Sequence, residues 1–197
     1  MTPKQEERLR NKIKKIKAAL AADKRSWGGY YHDGQGLRYE LPSLYLRLKD
    51  YTGGLRYMNW FNKNFPEDVG FPDFLFEWTI ILFKTGRLEE AERKAFQTFT
   101  LNTYIFDKFF GRAITPLEKH EFSGTESAEF AIEHFGYSCE QESFWDFGAW
   151  LSTFIDSAKF KATANRFIDI QIKLKDEKNF KKRVNLIREA DQLEKEF

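Results

Sequence analysis

The 197-residue chain is 42% hydrophobic and 17% aromatic at a formal net charge of +2, a composition that excludes intrinsic disorder and supplies a core for one domain. Its one cysteine, Cys139, excludes an internal disulfide and fits a reducing, cytoplasmic setting. Charge is unevenly spread, at +6 over residues 1–25, −8 over 26–156 and +4 over 157–197. Basic ends around an acidic middle can pair with each other or bind an anionic partner, and they are also what the solvated faces of terminal helices look like.

In chain order, the first expected helix spans Pro3 to Asp23. Thr2 suits the N-cap, Pro3 the first helical position, and Glu6–Glu7 the positive helix start. Leu9, Ile13, Ile16 and Leu20 form one helical stripe, which is not the apolar run of a secretory signal. Four glycines make Ser26–Gly36 a loop, and its Trp27, Tyr30 and Tyr31 either pack on the core or meet a ligand. Leu37–Lys49 and Thr52–Asn64 are read as two helices, the second closed by Phe65–Pro66 because the residue before proline is pushed out of helical geometry.

Pro72 then opens Phe74–Lys84, apolar nearly all round and so expected to be covered on both sides. Thr85–Gly86 breaks it, Leu88–Thr100 follows, and Tyr104–Phe110 is a further helix. Arg112–Gly124 lacks periodicity and is expected to be irregular. Glu126–Phe135, Glu140–Asp156, Lys159–Lys175 and Phe180–Phe197 complete the set, the last with Val184, Ile187, Ala190 and Leu193 at helical steps. With no strand-like run the expected fold class is all-α, in one domain over 1–197. No stretch reaches the roughly 18 uninterrupted apolar residues of a membrane span, so no membrane partner is expected.

Two segments repeat one design. Tyr45, Tyr51, Gly54, Met58, Phe61 and Pro66 lie 37 positions before Leu82, Leu88, Ala91, Ala95, Thr98 and Thr103, and Lys49 lies 37 before Gly86. That period falls among helical repeat arrays. The segments YLRLKDYTGGLRYMNWFNKNFPED and ILFKTGRLEEAERKAFQTF resemble tetratricopeptide repeats. In that family a small residue lets the two helices of a unit approach, and Gly54 and Ala91 hold that position. The chain departs from the pattern at Lys49, where glycine is usual, and at Thr103, where a proline closes the unit. GLRYELPSLYLRLKDY and FPDFLFEWTIILFKTG also look like a bacterial tetratricopeptide-containing family of undescribed function, a likeness that supplies no activity.

The resemblance implies an α-solenoid of two hairpins over 37–102, with an N-terminal basic helix over 1–25 and capping helices over 103–197. It further implies an inner face from the first helix of each unit. That face carries Tyr39, Ser43, Leu46 and Arg47, then Asp73, Phe76, Ile80, Phe83 and Lys84. Several of these are apolar, so the C-terminal helices are an alternative occupant of the groove. The Lys and Asn clamp of chaperone-binding members is not reproduced.

Little in the chain points to chemistry. His32, His120 and His134 form no HExxH or HxH pair, and a mixed site from His120, Glu121, Glu133 and His134 matches no metal-ligand spacing. No catalytic residue, metal or cofactor is assigned. Cys139 reads as a buried thiol lacking an evident base. Gly34–Gly36 follows no strand, so it is no dinucleotide loop. The expected function is non-enzymatic protein–protein or peptide binding by a scaffold, with an unidentified protein or peptide as partner. A nucleic-acid-associated protein using the basic terminal helices, or an enzyme with an unrecognised site, stands as the alternative. A pI near 8.5 and the acidic middle speak against nucleic acid.

Overall fold

Ten α-helices account for the regular structure of the computed structural model, which describes all 197 residues, and no strand occurs. In α1 (Pro3–Ser26) Thr2 and Gln5 form a reciprocal capping box, and Leu9, Ile13, Ile16 and Leu20 are the buried residues. The helix runs three residues past the expected Asp23. The loop after it divides its rings: Tyr31 packs on Trp60 and Phe65, while Trp27 and Tyr30 stay exposed.

The expected helix Leu37–Lys49 is a short 3-10 turn, Leu37–Tyr39, followed by α2 (Leu41–Leu48). Lys49 lies just after α2 at φ 55°, and Gly86 holds the matching place in the turn inside the second unit at φ 75°. Both turns therefore use the left-handed backbone, where glycine is relaxed and lysine is not. Helix α3 (Tyr51–Asn64) starts on the Asp50 carboxylate, which accepts the Gly53 N–H. Helices α4 (Pro72–Lys84) and α5 (Leu88–Leu101) form a second, closely packed hairpin.

A Cβ at Gly54 would lie 3.0 Å from Ile81 Cδ1 and 3.4 Å from the Tyr45 Cβ. This glycine thus permits α3 to approach both α2 and α4. Helix α4 is the centre of the molecule: Phe74, Phe76, Ile80 and Ile81 are at most 1% exposed, and α2, α3, α5 and α8 all pack on it.

After α5 come α6 (Ile105–Phe109), α7 (Ala128–His134), α8 (Trp145–Asp156), α9 (Ala158–Asp176) and α10 (Phe180–Lys195). The expected helix from Glu140 is shortened, because Glu142–Phe144 forms a 3-10 turn before α8 begins. Helices α9 and α10 pair with each other and lean on α5. One contiguous apolar core takes buried residues from all ten helices. No helix is long and apolar enough to cross a membrane.

Candidate binding cleft

The inner-face residues are divided by burial. Leu46, Phe76 and Ile80 are 6%, 0% and 0% exposed and belong to the core, which corrects their reading as partner contacts. Phe76 meets Phe109, Phe135, Tyr137 and Phe147, and Phe83 lies against Phe147 and Trp150. Lys84 pairs with Asp146 and lies over the Tyr51 ring. Residues 135–150 of the chain itself thus cover the lower part of this face. Apolar side chains there are satisfied by intramolecular burial, and no partner is needed to remove them from water.

The remaining four are partly accessible. The Tyr39 hydroxyl donates to Asp68 at 2.7 Å, and its ring is wedged against Phe71 and Phe74, so it pins the loop before α4. The Ser43 hydroxyl donates to the Glu40 carbonyl oxygen. Arg47 is exposed, and Asp73 is half-buried with its carboxyl raised by burial.

One titratable residue of this region escaped the sequence reading. Glu77, on α4, is 5% exposed and accepts the Tyr137 hydroxyl. Burial pushes its pKa up to about 8, against the lowering effect of Tyr137 and the Ser43 backbone N–H, while Asp73 adds to the rise. Glu77 is consequently neutral at pH 7 and joins α4 to the segment that covers the inner face.

The residues weighed for chemistry do not gather. No group of three His, Cys, Asp or Glu side chains converges to hold a metal. His134 is exposed at the end of α7, and His120 stacks edge-on against Phe122. Cys139 is half-buried, a Cβ at Gly148 would lie 3.4 Å from its own, and its backbone N–H donates to Phe109 O.

A large concavity lies elsewhere, between α3–α5 and the α9–α10 pair. It is about 620 Å³ in volume, within the usual range for ligand sites. Lys94 of α5 sits on its wall, 3.9 Å over the Trp78 ring and bonded to Gln97 at 2.7 Å. Burial pushes its pKa down to about 8, while Glu194 pulls the other way. Facing it, Glu194 of α10 accepts the Thr100 hydroxyl at 2.7 Å, and its carboxyl is raised by burial. Glu126, raised for the same reason, accepts the Phe122 N–H at 3.1 Å.

Glu67 and Asp191 complete the acidic lining, and Asp68 is neutralised by Arg38 at 2.7 Å. On α9, Gln171 is 5% exposed and its Oε1 has no hydrogen-bond partner. A buried carbonyl oxygen without a donor costs free energy and marks where a ligand donor would be welcome.

Only one sign of this cleft was present in the sequence. Phe160, Ala164, Phe167 and Leu174 form the buried stripe of α9, and Gln171 interrupts it at the next step. A polar amide in such a stripe needs a reason, and the cleft supplies one. Comparison with family models, curated proteins and solved structures finds no match for this chain.

Proposed function

We propose that the chain is a non-enzymatic interaction scaffold of tetratricopeptide-like type, which holds a basic peptide segment of a partner protein in the cleft between α3–α5 and α9–α10. The observation that carries this reading is the charge of the cleft. Glu67, Glu126, Asp191 and Glu194 line it and none of them is in an ion pair, against Lys94 as the single lining cation. A Lys or Arg side chain entering there gains carboxylate partners.

The hairpin design supports the scaffold half of the reading. Gly54 and Ala91 sit buried within their hairpins, as small residues do in tetratricopeptide units. Residues 135–150 cover the lower inner face, so the binding role passes to the opposite flank of α4–α5, with Arg47 and Asp73 left at the rim of the covered face.

The alternatives draw less support. In α1, Arg10 is paired with Glu6 and Lys12 with Glu40, which reduces the charge free for a nucleic acid. Lys94, the strongly shifted amine, is held over Trp78 and bonded to Gln97 rather than presented to a substrate.

An arrayed library of synthetic peptides tests the proposal, probed with wild type and with the charge-reversed double variant Glu67→Lys/Asp191→Lys. Selection of Lys- and Arg-rich peptides by wild type, lost in the variant, is the expected result. Selection of acidic or wholly apolar peptides, or equal retention by the variant, overturns it.

A further inference from the structure

A second, smaller cavity, sharing no lining residue with the acidic cleft, lies between α1 and α3, and it has the opposite charge. Its volume is about 360 Å³. Leu20 and Tyr57, 2% and 3% exposed, form the floor. The walls are aromatic: Trp60 stacks on Tyr57 with centroids 5.2 Å apart, and Tyr31 meets Trp60 edge-on at 5.4 Å. Trp60 and Tyr31 thus make an aromatic corner above the buried Tyr57, against which one more planar ring can pack.

Two cations, Lys17 of α1 and Arg56 of α3, stand on the lining of this corner. Both are exposed on their helices and neither is in an ion pair. Lys24 adds a third positive charge, 4.8 Å over the Tyr31 ring. The nearby carboxylate, Asp23, is already occupied, since it accepts the backbone N–H groups of His32 and Asp33 at 2.8 and 3.1 Å. The loop after α1 is thus tied back to that helix at His32 and Asp33, which holds Tyr31 at the corner; Lys17 lies 5.5 Å over the Tyr45 ring and keeps its charge for a ligand.

From this arrangement we infer that the α1–α3 cavity binds a nucleoside monophosphate, its base against Trp60, Tyr31 and Tyr57 and its phosphate between Lys17 and Arg56. The size admits one such molecule. Aromatic walls supply stacking that tolerates any base, and the paired cations supply the phosphate contact. The site is separate from the acidic cleft and does not depend on a peptide binding there.

Isothermal titration calorimetry with AMP tests the inference, with adenosine and ribose 5-phosphate as the two half-ligands. One AMP per chain is expected, bound more tightly than either half-ligand. Lys17→Glu and Arg56→Glu each weaken it on the order of tenfold or more, as the loss of a charge-assisted contact implies. Trp60→Leu removes the stacking wall and should weaken AMP and adenosine while leaving ribose 5-phosphate unchanged. Lys182→Glu, a charge reversal on the distant α10, should bind as wild type does. Circular dichroism establishes that each variant is folded before titration. No saturable AMP binding, ribose 5-phosphate binding as tightly as AMP, or unchanged affinity in the Lys17 and Arg56 variants overturns the inference.

Discussion

Replacing Glu77 by glutamine should make the protein more stable at neutral pH and leave it nearly unchanged in acid. Glu77 is 5% exposed and has its pKa raised from 4.5 to about 8, chiefly by burial. Below pH 4.5 the folded and unfolded chains both hold the proton, so the group costs nothing. Above 4.5 the unfolded chain releases the proton while the folded chain keeps it, and stability falls until the folded group also ionises near 8. Each pH step within that window costs about 1.4 kcal/mol, which amounts to roughly 3 kcal/mol at pH 7.

Glutamine removes the titration and still accepts the Tyr137 hydroxyl. It cannot satisfy every donor that faces the carboxyl, the Ser43 N–H among them, and one such loss costs about 1 kcal/mol. The net gain is therefore about 2 kcal/mol at pH 7. Urea unfolding followed by circular dichroism at pH 4.5, 7 and 8.5 measures it. The expected difference between variant and wild type is zero or slightly unfavourable at 4.5 and increasingly favourable above. A difference independent of pH, or a variant less stable than wild type at 8.5, refutes the reasoning. Glu126 and Glu194 are also raised by burial and tilt both proteins the same way, while Asp73, whose charge acts on Glu77, enters the measured difference with it.

Two backbone predictions follow from the turns and the crossing. Lys49→Gly relaxes a left-handed residue at φ 55° and should stabilise by about 0.5–1 kcal/mol, the relief of strain exceeding glycine's entropy in the unfolded chain; an unchanged or lower urea midpoint contradicts this. Gly54→Val drives new methyl groups toward the Ile81 side chain, from which even a Cβ would be only 3.0 Å. It should cost at least about 2 kcal/mol by overpacking, and thermal melting within a degree of wild type would show that α3 and α4 have room to separate.

The helices themselves were legible because their signals are local. Thr2 and Pro3 at the start of α1 and Pro72 at the start of α4 act within one turn of the chain, and the apolar stripes of α1, α9 and α10 repeat at helical steps. The boundaries that moved did so where local signals compete. Leu37–Tyr39 and Glu142–Phe144 have helical composition but form tighter turns that re-aim the next helix. Tyr30 and Tyr31 are neighbours of one chemical type, and only the position of Trp60 across the loop decides that Tyr31 is packed and Tyr30 is 80% exposed.

The sequence by itself determined an all-α chain, its helix order and two hairpins with small residues where their helices meet. Burial against distant segments decided the rest. Phe76 could have lined an open groove, and it is covered because Phe135, Tyr137 and Phe147 reach it from about 60–70 residues away. The same folding brings Lys94, Glu194 and Gln171 to one acidic cleft, and Lys17, Arg56 and Trp60 to one basic aromatic corner. Charge and exposure at such places depend on which helices are packed side by side, and that information lies in contacts far apart along the chain.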